Sequence, residues 1–259
     1  MPKTHEFLAL YDKGAYQEAY AVLRDIIATQ SPQSQIGDAY VMCAELELII
    51  NDDISKARDF LDTALRRGCQ DMDTYYRCRG YVLWRAGEIE SGMRDMEKSV
   101  ALNPTITNLT TLGKALSYAG DRRAAEIWER VVREQPQNCK AYVYLGMLAA
   151  KTGDKGKALL MAEEAERHES TVNDLVEIGS LYAEAGDLRK ALDKYFEAER
   201  RGDHAKAPLY AGIAMCCFGL GNVREGCTYL ERARRCNPDH VDVKRMWNDY
   251  HDKPVGKAD

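Results

Sequence analysis

The sequence has no apolar run long enough to cross a bilayer. Stretches such as "LELII" at 46–50 are far shorter than the ~20 residues a spanning helix needs. The opening segment "MPKTHEFLALYDKG" lacks the apolar core and small-residue cleavage site of a secretory leader. Neither end carries a lipidation motif, so the expected location is the cytoplasm. There is no Cys-x-x-Cys pair, and the eight cysteines of a chain without a leader are expected to be free thiols. The glycosylation match at Asn108-Leu109-Thr110 then has no export to serve it.

Catalytic and ligand-binding signatures are equally scarce. The histidines, at 5, 168, 204, 240 and 251, include no two at helical ligand spacing. Cys216, Cys217, Cys227 and Cys236 crowd one region with His240, but adjacent Cys216 and Cys217 leave a helix in different directions. No metal and no cofactor are expected. No glycine-rich loop follows a strand, because no convincing strand exists. Acidic stretches such as "MAEEAERHE" read as a solvated helix face, since carboxylates in a row are not an acid and base without a pocket. The chain is expected not to be an enzyme. With 36 basic and 41 acidic side chains it has a net charge of −5, which disfavours phosphate-driven binding of nucleic acid.

What the sequence does have is a repeat. Gly80, Gly113, Gly146 and Gly179 stand 33 residues apart, and so do Gly87, Gly120, Gly153 and Gly186. A period of this size marks a solenoid or array. "LYAEAGDLRKAL" at 181–192 shows its logic. Gly186 ends one helix, Asp187 caps the next, and Ala191, Tyr195 and Ala198 at i, i+4 and i+7 form one stripe. Small residues recur at the position of Ala191 in every unit: Ala19, Ala57, Gly92, Ala124, Ala158 and Gly226. There they let a neighbouring helix approach closely. Asn103-Pro104, Gln135-Pro136 and Asn237-Pro238 close three of the units.

These residues resemble the tetratricopeptide repeat, whose pattern is W-x2-L-G-x2-Y, then A-x3-F, then P. The stretch 142–165 matches with Tyr142, Leu145, Gly146, Ala158, Ala162 and Ala165, and the next with Ile178, Gly179, Tyr182, Ala191, Tyr195 and Ala198. The resemblance implies an all-α fold, a right-handed superhelical solenoid of antiparallel helix pairs. Seven units are expected, at about 1–34, 38–71, 73–105, 106–138, 139–171, 172–206 and 207–240. Departures fall at Asn51-Asp52-Asp53, where the hinge glycine belongs, and at Arg79, which replaces an expected leucine. Beyond the repeats, Val243, Met246, Trp247 and Tyr250 make one apolar stripe, so 241–253 is expected to be a capping helix and 254–259 a disordered tail.

In this family the concave surface is lined mainly by the first helix of each pair, here called helix A. That register points to Arg77, Tyr81, Trp84, Thr111, Lys114, Lys140, Tyr144, Met147, Glu177, Ser180, Met215 and Phe218. Met42, Leu46, Ile49, Thr107 and Asn173 occupy further inward positions. Such a lining suits a peptide or amphipathic helix with apolar anchors, and Arg77, Lys114 and Lys140 suggest an acidic segment in it. The expected function is a non-enzymatic protein-interaction module or scaffold. One alternative is a self-assembling scaffold joined through its repeat ends. Another is a binder of acidic C-terminal tails, the co-chaperone reading. The carboxylate clamp of that subfamily finds Arg77, Tyr81, Thr111, Lys140 and Tyr144 at its positions, without its two asparagines and its arginine. An RNA-reading array is disfavoured, because Arg77, Thr111, Tyr144 and Glu177 do not repeat a base-reading pair.

Overall fold

The computed structural model describes residues 2–29, 33–202 and 206–250. The expected tail at 254–259 and the last three residues of the expected cap lie outside them. Among the described residues every regular element is helical. The chain divides into two compact units, residues 1–127 and 128–259.

The first unit contains α1 (Pro2–Asp12), α2 (Tyr16–Ala28), α3 (Gln33–Ile50), α4 (Ile54–Arg66), α5 (Met72–Arg85), α6 (Ile89–Leu102) and α7 (Ile106–Ala119). Helix α8 (Arg123–Glu134) crosses the division. The second unit continues with α9 (Cys139–Lys151), α10 (Lys155–Arg167), α11 (Val172–Ala185), α12 (Leu188–Arg201), α13 (Lys206–Gly219), α14 (Val223–Cys236) and α15 (Val241–Tyr250). Sequential helices from α1 to α7, and again from α9 to α15, pack as neighbours. Alternate helices also meet, α3 with α5 and α5 with α7 in the first unit, α9 with α11 and α11 with α13 in the second. This is the all-α arrangement of adjacent helix pairs that the repeat predicts.

The hinges follow from backbone chemistry. Gly186 caps α11 at φ 94°, a left-handed conformation that costs glycine nothing sterically. The Asp187 carboxylate then accepts from the Lys190 N–H at 3.1 Å and starts α12. In the second pair the hinge glycine is missing, and Asp52 takes its conformation at φ 55°. Aspartate is one of the few side chains that tolerate this region. Asp53 then caps α4 through the Lys56 N–H at 2.9 Å.

The small-residue ladder sets helix spacing. Ala19, Ala57, Ala124, Ala158 and Ala191 have no exposed surface. Gly80 and Gly92 face each other, so that a Cβ on Gly80 would lie 2.7 Å from the Gly92 carbonyl oxygen. In the second unit the Tyr195 ring fills the space vacated by two glycines. A Cβ at Gly179 would meet its Cε1 at 2.7 Å, and one at Gly212 its Cζ at 2.6 Å. The departure at Arg79 is compensated: its guanidinium grips Asp95 of α6 at 2.6 and 2.8 Å and lies over the Tyr75 and Tyr76 rings.

Helix α3 begins at Gln33, ahead of the start at 38 expected for the second repeat. Gly37 is absorbed into the helix because a close approach needs it. A Cβ there would lie 2.4 Å from the Cys69 backbone nitrogen.

Helix α15 packs against α13 and α14, burying Val243 and Met246. Tyr250 stacks on Phe218 with centroids 3.8 Å apart, and Arg234 lies over the Trp247 ring at 4.1 Å. Trp247 is half-buried, so Trp247→Ala is expected to cost about 2 kcal/mol rather than the ~3–5 of a fully enclosed ring. Thermal melting of the variant checks this; an unchanged midpoint would mean that α15 does not hold the end of the second unit.

Candidate partner-binding surface

In the first unit the inward positions of α3, α5 and α7 carry Ile49, Tyr81, Trp84, Thr111 and Lys114. Tyr81 and Trp84, one turn apart on α5, stand with ring centroids 6.2 Å apart and planes within 16°. Tyr118 of α7 comes within 5.5 Å of Trp84. Tyr118 is 67% exposed, Ile49 44% and Tyr81 37%, while Trp84 is half-buried. The three rings form an aromatic platform open to solvent. Arg85 sits at its edge, hydrogen-bonded to Tyr81 and paired with Asp52 at 2.5 Å, and these contacts hold its pKa above the usual guanidinium value.

Tyr118 was not among the expected surface residues. It stands two residues before its hinge glycine, where the neighbouring repeats have Arg85, Lys151 and Glu184. Those charged residues make the position read as a solvated helix end. The signal that would have found it is the aromatic at a position otherwise polar.

Several expected residues do other work. Arg77 does not present a charge to a ligand. Its guanidinium makes a two-pronged pair with Glu45 of α3, at 2.7 and 3.0 Å, with the two side chains only 11% and 17% exposed. Burial opposes ionisation of Glu45, but Arg77 with hydrogen bonds from Tyr11 and Cys78 outweighs it and lowers the carboxyl pKa. The basic strip expected from Arg77, Lys114 and Lys140 therefore lacks its first member, and Lys140 belongs to the second unit. Leu46 is fully buried and Met42 packs into the core, so neither lines a surface. The Thr111 hydroxyl turns back to the Thr107 carbonyl at 2.8 Å.

In the second unit Tyr144 is also core. It stacks on Trp128 at 4.6 Å with planes 7° apart and is 9% exposed. Of the positions matched to a carboxylate clamp, Arg77 is thus paired within the first unit and Tyr144 enclosed within the second. Ser180 is structural as well: its hydroxyl meets the buried Tyr195 hydroxyl at 3.0 Å and the Val176 carbonyl at 3.0 Å. Phe218 is covered by Tyr250. Lys140, Met147, Asn173 and Glu177 are half-buried or exposed on α9 and α11, and Met215 of α13 is 38% exposed. The open part of this face is thus carried by methionines and a few polar groups.

Six of the eight cysteines are buried and behave as core residues, while Cys227 is half-buried and Cys236 exposed. Burial pushes the thiols of Cys43, Cys69, Cys139 and Cys216 up to about 12, keeping them neutral and unreactive. Among the described residues no three potential metal ligands come together, and no helix is long and apolar enough to cross a membrane.

Residues 110–170 match the tetratricopeptide repeat family. No curated protein sequence matches the chain. Three solved structures share the fold at low identity. A tetratricopeptide repeat protein from Parabacteroides merdae aligns at 13% identity with a TM-score of 0.68, over 95% of this chain and 96% of that one. The Cut9–Hcn1 hetero-tetramer of the APC/C aligns at 14% and 0.72, over 93% of this chain but only 47% of that one. NprR in complex with its cognate peptide NprX aligns at 14% and 0.63, over 96% and 81%. The chain has the tetratricopeptide repeat fold.

Proposed function

We propose that the protein is a non-enzymatic protein-interaction module, working in the cytoplasm, that binds a peptide segment or helix of a partner on its helix A faces. The observation that carries this reading is the exposed platform of Tyr81, Trp84 and Tyr118. Aromatic side chains are costly to leave in water, and Tyr and Trp are enriched among residues that dominate binding energy. Other exposed apolar side chains of the first unit, such as Leu8, Leu65 and Leu102, are aliphatic, whereas these three aromatic rings lie side by side. The fold is shared with NprR, solved with a peptide, and with Cut9–Hcn1, solved as an assembly of chains. The non-enzymatic reading is supported by where the enclosed carboxylates sit. Glu45 and Asp95 are each gripped by an arginine, and Glu47 is bonded to Lys56, Asn51 and Tyr20.

The ligand is one with apolar or aromatic anchors for the platform; acidic residues would be a secondary feature, since Arg77 is spent on Glu45. Tyr118→Ala tests this. Because the ring is mostly exposed, stability should change by less than about 0.5 kcal/mol. Affinity for a partner captured from the native cell should fall more than tenfold, about 1.4 kcal/mol or more, as for a central anchor. Unchanged affinity in the folded variant would overturn the platform reading.

A further inference from the structure

A cleft of about 450 Å³ opens in the first unit between α2, α3 and α4, away from the aromatic platform. Its size falls within the range of small-ligand pockets, about 300–1,000 Å³. Tyr20, Tyr40 and Phe60 form an aromatic wall, with Tyr20 and Tyr40 at 6.5 and 6.1 Å from the Phe60 ring. The buried, neutral Cys43 thiol lies at the floor. Two cations line it, Arg24 and Lys56, and no acidic residue appears among its described lining.

The charges around the cleft do not cancel. Lys56 is committed to Glu47 at 2.9 Å, and that carboxylate is itself enclosed, at 1% exposure, and also held by Asn51 and Tyr20. This pair is locally neutral. Arg24 makes no ion pair among the described residues and is exposed at the mouth. One uncompensated positive charge beside an aromatic wall is complementary to a monoanion that carries an apolar body. A phosphate, with up to two negative charges and no apolar part, would leave the rings unused.

We infer that this cleft binds a carboxylate joined to a bulky apolar group, with the Arg24 guanidinium receiving the carboxylate and the three rings enclosing the apolar part. Guanidinium and carboxylate match as a planar two-pronged pair. The chemistry has two sources, a free aromatic acid or a peptide in which an aromatic residue precedes an acidic one. This site is independent of the helix A platform, and its success or failure leaves that reading untouched.

Calorimetric titration of the full chain with N-acetylphenylalanine and with its amide tests the assignment. The acid should bind at least tenfold more tightly than the amide, and added salt should narrow the difference. Arg24→Gln, at an exposed position and verified by its melting curve, should erase the preference for the acid. A capped peptide containing Phe-Glu forms the second arm. Tighter binding of the free acid assigns a small-molecule ligand, and tighter binding of the peptide assigns a partner chain; both uphold the cleft. Equal binding of acid and amide, no binding of any of these probes at millimolar concentration, or an unchanged preference in Arg24→Gln would overturn it.

Discussion

Arg77→Ala should destabilise the first unit by about 3–5 kcal/mol, although arginine is an ordinary surface residue in most proteins. The substitution leaves the Glu45 carboxylate enclosed between α3 and α5 without its cation, and an unpaired buried charge is expensive. Arg77→Glu should be worse, since it sets two carboxylates against each other. Replacing both partners, as in Glu45→Leu with Arg77→Met, should recover most of the loss, because packed apolar groups can stand in for a buried pair. Acid should mimic the lesion. The Glu45 pKa is lowered in the folded chain, so its contribution is fully present above the unfolded value of about 4.3 and is lost as pH falls through the folded value. Urea titrations of the three variants at neutral pH, and of the native chain across the acid range, check each step. A stable Arg77→Ala would mean that the pair is not what joins α3 to α5.

The second large effect is expected at the glycine pair of α5 and α6. A Cβ at Gly80 would lie 2.7 Å from the Gly92 carbonyl oxygen, and one at Gly92 would lie 2.6 Å from that of Gly80. In each case the obstacle is backbone, which has no rotamer to relieve the clash. Gly80→Val and Gly92→Val should therefore cost at least the ~1–3 kcal/mol of ordinary overpacking, even though valine is a better helix former than glycine. Gly179→Val should cost less, because its obstacle is the Tyr195 ring rather than backbone. Hydrogen exchange should show α5 and α6 loosening together. If the Gly80 and Gly92 variants melt like the native chain, the two helices are not in backbone contact.

These glycines also show how much of the fold the sequence carried. The period of 33, the hinge at Gly186, the cap at Asp187 and the stripe of Ala191, Tyr195 and Ala198 are local in sequence and repeated, so each unit reports on the others. Asp52 in the glycine conformation and Gly37 inside α3 were harder to read, since each departs from the repeat for a reason found in three dimensions. The surface was less legible still. The register identified Tyr81 and Trp84 but placed Arg77, Tyr144 and Phe218 on the same footing. Their partners, Glu45, Trp128 and Tyr250, come from other helices that a single-helix register does not see. Tyr118 was missed for the converse reason, that its position is polar in neighbouring repeats. Whether a side chain at an inward position faces solvent depends on what its neighbouring helix offers it.

The aromatic platform is the centre of the functional account, and hydroxyl-radical footprinting addresses it without altering a residue. Side chains of the free protein and of its complex with the captured partner are oxidised and compared. On this account Tyr81, Trp84 and Tyr118 lose reactivity in the complex, while Leu102 and Leu160, exposed on the second helices of their pairs, keep theirs. A complex in which the three rings stay as reactive as before, with protection falling on Leu102 or Leu160, would contradict it.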